Sequence, residues 1–190
     1  MTTRETELKK DAARLEAAFF TDRNTGLLAD LRRVTEEGER RRMLREVVKI
    51  KDEAFLNRLS AIGFSPETAL AVTLIPLIAV AWADGKLDDR ERKALLEAAR
   101  QRGVTADRIG RELLTNGLAR KPDPRLFASW KAYVGRLWGY FTADERWQMR
   151  SNCLASARGV AEAAGGILGL TSKISAEERR VLEEIERLLD

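Results

Sequence analysis

The chain has 190 residues, 34% of them charged, with 34 Lys plus Arg against 30 Asp plus Glu and a formal net charge of +4. That length suits one good core with an N-terminal appendage, and the interleaving of the two signs describes solvated helix faces rather than a clustered phosphate-binding surface. Histidine is absent and Cys153 is the single cysteine, which removes Ser-His-Asp and Cys-His catalysis, every His-based zinc or iron site, a thiolate zinc cluster and an internal disulfide.

Ala, Leu, Glu and Arg dominate, and turn residues fall between periodic segments, so the chain reads as all-α, a helical bundle of about seven to eight helices. The first segment, Glu5 to Phe20, spaces Leu8, Ala12, Leu15, Ala18 and Phe19 on one helical face. Nothing in Met1 to Asp22 has the charged-then-apolar order of a secretory leader, so the expected compartment is the cytoplasm. A second pattern runs from Leu27 through Ile62 and is interrupted near Glu36-Glu37-Gly38, which predicts two helices or one bent one. Its Arg40-Arg41-Arg42 run with Arg45 is the densest basic cluster. It reads as an ordinary helix surface, and nucleic-acid binding is disfavoured.

Ser65-Pro66 is a strong helix start, Ser as N-cap and Pro at the first helical position. The run that follows, Ala69 to Ala83, is the most apolar of the chain. Its length falls short of the roughly 20 residues of a membrane-spanning helix, so it reads as a buried core helix. Pro76 inside it should kink it or cost it one backbone hydrogen bond. Gly85 is a left-handed stop, and Asp88 with Glu91 forms a capping box for the next helix, which ends near Arg102-Gly103. Thr105 caps another helix, to about Leu118. Lys121-Pro122-Asp123-Pro124 is a rigid connector into a helix carrying Leu126, Phe127, Trp130, Tyr133, Val134, Leu137 and Trp138. These residues recur three and four apart and read as a core face rather than a stacking surface for bases. Thr142 with Glu145 caps a long helix ending near Ala164, a glycine-rich loop follows, and Ser175 with Glu178 caps the terminal helix.

Phe64-Ser65, helix, Ala83-Asp84-Gly85, Lys86-Leu87-Asp88 parallels Phe141-Thr142, helix, Ala163-Ala164-Gly165, Lys173-Ile174-Ser175. This predicts two pseudo-repeated helix hairpins that bury each other's apolar faces. The boundary falls before Phe64: residues 1–63 form an N-terminal helical extension packing on a core of residues 64–190.

Ala79-x-Ala81-x-Ala83-Asp84-Gly85-Lys86-Leu87-Asp88-x-x-Glu91-Arg92 resembles the signature of the TerB-like domain, a helical bundle named from tellurite-resistance proteins, and the resemblance spans about Phe64 to Leu189. It implies an all-α domain with pseudo-repeated halves, and a metal cation held by acids around the Ala-Asp-Gly turn, here Asp84, Asp88 and Glu91. The second half carries Ala164 where the first has Asp84, so the first hairpin would supply most of the ligands. An EF-hand is excluded. With Gly85 at the sixth loop position, the first and third positions fall on Val80 and Trp82, which cannot ligate. The structural reading gives Asp84 the free N–H groups of the following helix, or a basic partner among Lys86, Arg90 and Arg92.

No phosphate loop, dinucleotide fingerprint or converging set of acids and bases is visible, so the chain is not expected to be an enzyme. The expected function is a non-catalytic protein-interaction or scaffold module, with protein partners, a second copy of the chain among them. The alternative is a divalent-cation-binding stress or tellurite-resistance protein. Cofactors are accordingly none, or a weakly bound calcium- or magnesium-type ion.

Overall fold

A computed structural model of the chain describes residues 2–21, 24–34, 36–87, 89–101, 108–165 and 174–190, with backbone alone at 90, 91, 101 and 163–165. Among these residues the fold is all-α with no strand. Its helices are α1 (Thr3–Phe19), α2 (Thr25–Arg33), α3 (Glu37–Val48), α4 (Glu53–Ala61), α5 (Pro66–Ala81), α6 (Asp89–Gln101), α7 (Arg108–Leu118), α8 (Pro124–Leu137), α9 (Ala143–Gly165) and α10 (Ala176–Leu188), with one 3-10 turn at Trp138–Tyr140. No single helix among the described residues is long and apolar enough to cross a membrane.

The bundle is organised around α5. Fourteen of its sixteen residues are buried, and α1, α2, α3, α7, α8, α9 and α10 all pack against it. A helix apolar on every side is stable in water only when other helices cover every side. Ser65 caps it as expected, accepting from Thr68 N at 3.0 Å. The helix continues through Pro76. Proline has no N–H to offer the carbonyl four residues earlier, so Val72 O loses its helical partner. The indole of Trp130 on α8 replaces it, donating to Val72 O at 2.9 Å.

More helices are present than the sequence suggested, because the pattern from Leu27 to Ile62 divides into three rather than two. The break near Glu36 is where it was expected. The second break lies at Lys49, which closes α3 in the left-handed region at φ 57, and α4 restarts after Asp52, whose side chain accepts from Phe55 N at 3.0 Å.

These N-terminal helices belong to the common core. Leu8, Leu15, Leu31, Leu44 and Phe55 join one apolar cluster with α5, α8, α9 and α10. Arg40 of α3 pins them in place. Its guanidinium spans both carboxylate oxygens of buried Glu67 on α5, at 3.2 and 2.8 Å. It also donates to Leu31 O and Val34 O at the end of α2, at 3.4 and 3.2 Å, a favourable place for a cation. Burial alone would raise the Glu67 carboxyl. Arg40, the first-turn N–H and Ser65 outweigh it and hold the group below its ordinary value.

The two predicted hairpins lie against each other: α5 and α6 both pack on α9, and α10 packs on α5 as well as on α9. The aromatic stripe of α8 is core, with Trp130, Tyr133 and Trp138 buried. Capping boxes form at Thr142 with Glu145 and at Ser175 with Glu178. The caps expected at Asp88 and Thr105, and the loop over 166–173, lie outside the described residues.

Candidate functional site

The stretch from Trp82 to Arg92 joins α5 to α6 and carries all three predicted ligands. α5 ends at Ala81. Ala83 N then bonds Val80 O at 3.1 Å and Gly85 N bonds Trp82 O at 3.0 Å, and Gly85 turns the chain at φ 81. Glycine enters that region without a steric penalty. Asp84 is exposed, and its Oδ1 accepts from Lys86 N at 2.9 Å. This closes a side-chain-to-backbone turn two residues long. Among the described residues the donor to Asp84 is the backbone of the turn itself, at Lys86 N.

The two ends of the stretch serve a different helix. Trp82 Nε1 donates to Gly117 O at 3.2 Å, and Arg92 Nε donates to Leu118 O at 3.0 Å. Both acceptors belong to the last turn of α7, where carbonyls have no partner within the helix and the macrodipole favours a cation such as Arg92. Arg92 also holds Asp89, at 2.6 Å. Between these anchors Leu87 packs against the core. The stretch is thus a strap that caps α7 while it links α5 to α6.

Of the predicted ligands, Asp84 is placed at this turn. Asp88 lies outside the described residues, and Glu91 is placed by its backbone on α6 with its side chain outside them. Among the described residues no group of three or more His, Cys, Asp or Glu stands close enough to hold a metal ion. A further cation is already near: Lys121 Nζ lies 3.2 Å from where a β-carbon on residue 85 would stand.

Chemically, the described side chains of the strap offer two exposed carboxylates, Asp84 on the turn and Asp89 paired with Arg92. The sequence pointed to Asp84, whereas the capping roles of Trp82 and Arg92 had no local signal, since their acceptors lie 35 and 26 residues away.

A second feature lies on α9. Trp82, Trp130 and Trp138 each spend their indole N–H on a backbone carbonyl, the last on Leu189 O at 3.2 Å. Trp147 is 69% exposed. It stands seven and fourteen residues before Leu154 and Ala161, both buried, so it continues a core stripe of α9 into solvent. Comparison with known proteins finds no matching family model, no matching curated protein and no matching solved structure.

Proposed function

We propose that this chain is a non-catalytic helical module, of TerB-like type by its Ala-Asp-Gly signature, that works in the cytoplasm by docking a protein partner through the exposed end of α9. The carrying observation is Trp147, a large apolar side chain at 69% exposure in line with a buried stripe. Exposed tryptophans are favoured anchors of protein interfaces, because one side chain brings a large area at low entropic cost. The lack of histidine in the sequence supports a role in binding rather than in the commonest acid–base catalysis.

The test is site-specific photo-crosslinking in the native host, with the reactive residue at position 147 and, as control, at exposed position 111 on α7. A discrete adduct at 147 and none at 111 supports the reading, and its mass tells a second copy of the chain from another protein. Equal background at both positions overturns it.

The TerB-like resemblance supports a second reading, a hard-cation site at Asp84, Asp88 and Glu91 serving a stress response. The exposed position of Asp84 on its turn supports it. A calcium titration of wild type against Asp84→Asn separates the two readings.

A further inference from the structure

A cleft of about 590 Å³ opens where the end of α1 meets the end of α7 and the start of α8. Small-molecule sites run from ~300 to ~1,000 Å³. A cavity of ~150 Å³ admits a benzene ring, so by the same ratio this one holds about two dozen non-hydrogen atoms. Its apolar walls come from Ala18, Phe19, Ile78, Pro122 and Leu126. Two amides, Asn24 and Asn116, also line it. Asn24 is buried, its Nδ2 donating to Phe19 O at 3.3 Å and its Oδ1 accepting from Asn116 Nδ2 at 2.8 Å. A carboxamide carries two N–H groups. Each of these commits one to a described residue, so the pair retains neutral donors for a ligand.

The charged lining is three cations and one acid: Arg120, Lys121, Arg125 and Asp123. Arg125 is committed to the acid, its Nε 3.0 Å from both Asp123 oxygens and its Nη2 2.5 Å from Oδ2. The same carboxylate caps α8, accepting from Arg125 N at 2.8 Å. Arg120 and Lys121 are exposed, and their side chains make no hydrogen bond or ion pair with a described residue. Lys121 stands at the rim with its Nζ toward Gly85 of the strap. Two positive charges without a matching acid therefore sit at the mouth of a cleft that has amide donors in its lining. All these donors are side chains, so no phosphate-loop motif marks the cleft in the sequence.

We infer that this cleft binds a phosphate monoester of about the size of a nucleoside monophosphate, its dianion held by Arg120 and Lys121 and its body lying against Ala18, Pro122 and Leu126. A phosphate monoester carries about −1.5 to −2 charges at pH 7, which two cations match. A carboxylate would leave one cation unmatched, and a triphosphate brings more charge than the two balance. A strand of nucleic acid needs cations spread along a path, whereas these two are neighbours in sequence. A metal ion would meet a single carboxylate, which Arg125 already holds.

The test titrates the full chain with AMP by calorimetry, with adenosine and inorganic phosphate as the two halves of that probe. Saturable AMP binding is expected, with each half about tenfold weaker or more. Arg120→Gln and Lys121→Gln should each weaken AMP about tenfold and leave adenosine unchanged. Arg111→Gln, at an exposed position of α7 outside the cleft, should change nothing. Ala18→Trp fills the cleft from its apolar side and should abolish AMP binding, with circular dichroism checking that each variant is folded. No saturable AMP binding, adenosine or phosphate as tight as AMP, wild-type affinity in Arg120→Gln, an equal loss in Arg111→Gln, or full binding in a folded Ala18→Trp overturns the proposal.

Discussion

Gly85 and Lys49 both turn the chain in the left-handed region, at φ 81 and 57, yet they differ in what holds them. Gly85 does so at no steric cost, and its neighbours are accounted for: Asp84 closes the turn on Lys86 N, and Trp82 and Arg92 cap α7. Lys49 pays a penalty that glycine would not. It is held between Val48 and Ile50, both buried, with Asp52 restarting the chain as α4 and Arg40 anchoring the far end of α3 to Glu67. The acidic turn that stands out in the sequence is explained by local structure. The inconspicuous lysine is where the fold maintains a strained residue.

The anchor is the first place to break this contrast. Arg40→Met leaves Glu67 buried without its partner and Leu31 O and Val34 O without a donor, and should cost about 3–5 kcal/mol in denaturant melts. The same pair carries a pH signature. Because the folded Glu67 carboxyl titrates below its ordinary 4.5, the pair's stabilisation is complete above that value and is lost as pH falls through the lower folded value. The gap between wild type and Arg40→Met should therefore narrow as melts are taken below pH 4.5. A gap that widens in acid would contradict the assignment.

Next in size, Gly85→Ala places a β-carbon at positive φ and against Lys121, and a loss of about 1–2 kcal/mol is expected from chemical denaturation. Lys49→Gly should have the opposite sign, a gain of up to ~1 kcal/mol, since relief of strain is partly offset by the freer unfolded chain. If Gly85→Ala and Lys49→Gly change stability in the same direction, the distinction between the two turns fails. Smallest of all is the response to calcium: with Asp84 engaged by Lys86 N, millimolar calcium should shift the melting temperature of wild type and of Asp84→Asn by the same small amount. A submicromolar site lost in Asp84→Asn would move the strap from structure to metal binding.

The sequence showed the helices wherever a chemical punctuation mark announced them: Ser65-Pro66, Asp123-Pro124, Thr142 with Glu145, Ser175 with Glu178. It missed the break at Lys49, because a lysine in the left-handed region has no signature of its own, although Asp52 as an N-cap was there to be read. It named Asp84 and weighed a structural acid against a metal ligand, and it left unread that an Asp followed by Gly with an N–H two residues on forms its own turn, as Lys86 N does here. Pro76 visibly orphaned a carbonyl. That the donor would be Trp130, 58 residues along, belongs to tertiary packing and has no local trace. The cleft is assembled from α1, α5, α7, α8 and the links that follow α1 and α7, and was invisible for the same reason.

The exchange between Pro76 and Trp130 bears on how this chain can drift in evolution. Each residue removes the other's reason to change: the imino acid leaves a buried oxygen wanting a proton, and the indole supplies one from a neighbouring helix. A descendant with an ordinary amide at position 76 could satisfy that oxygen within α5 and release selection on the tryptophan, whereas a descendant that lost the tryptophan first would carry the whole deficit. Sequences diverging from this one should therefore substitute the two positions in order, the proline before the aromatic.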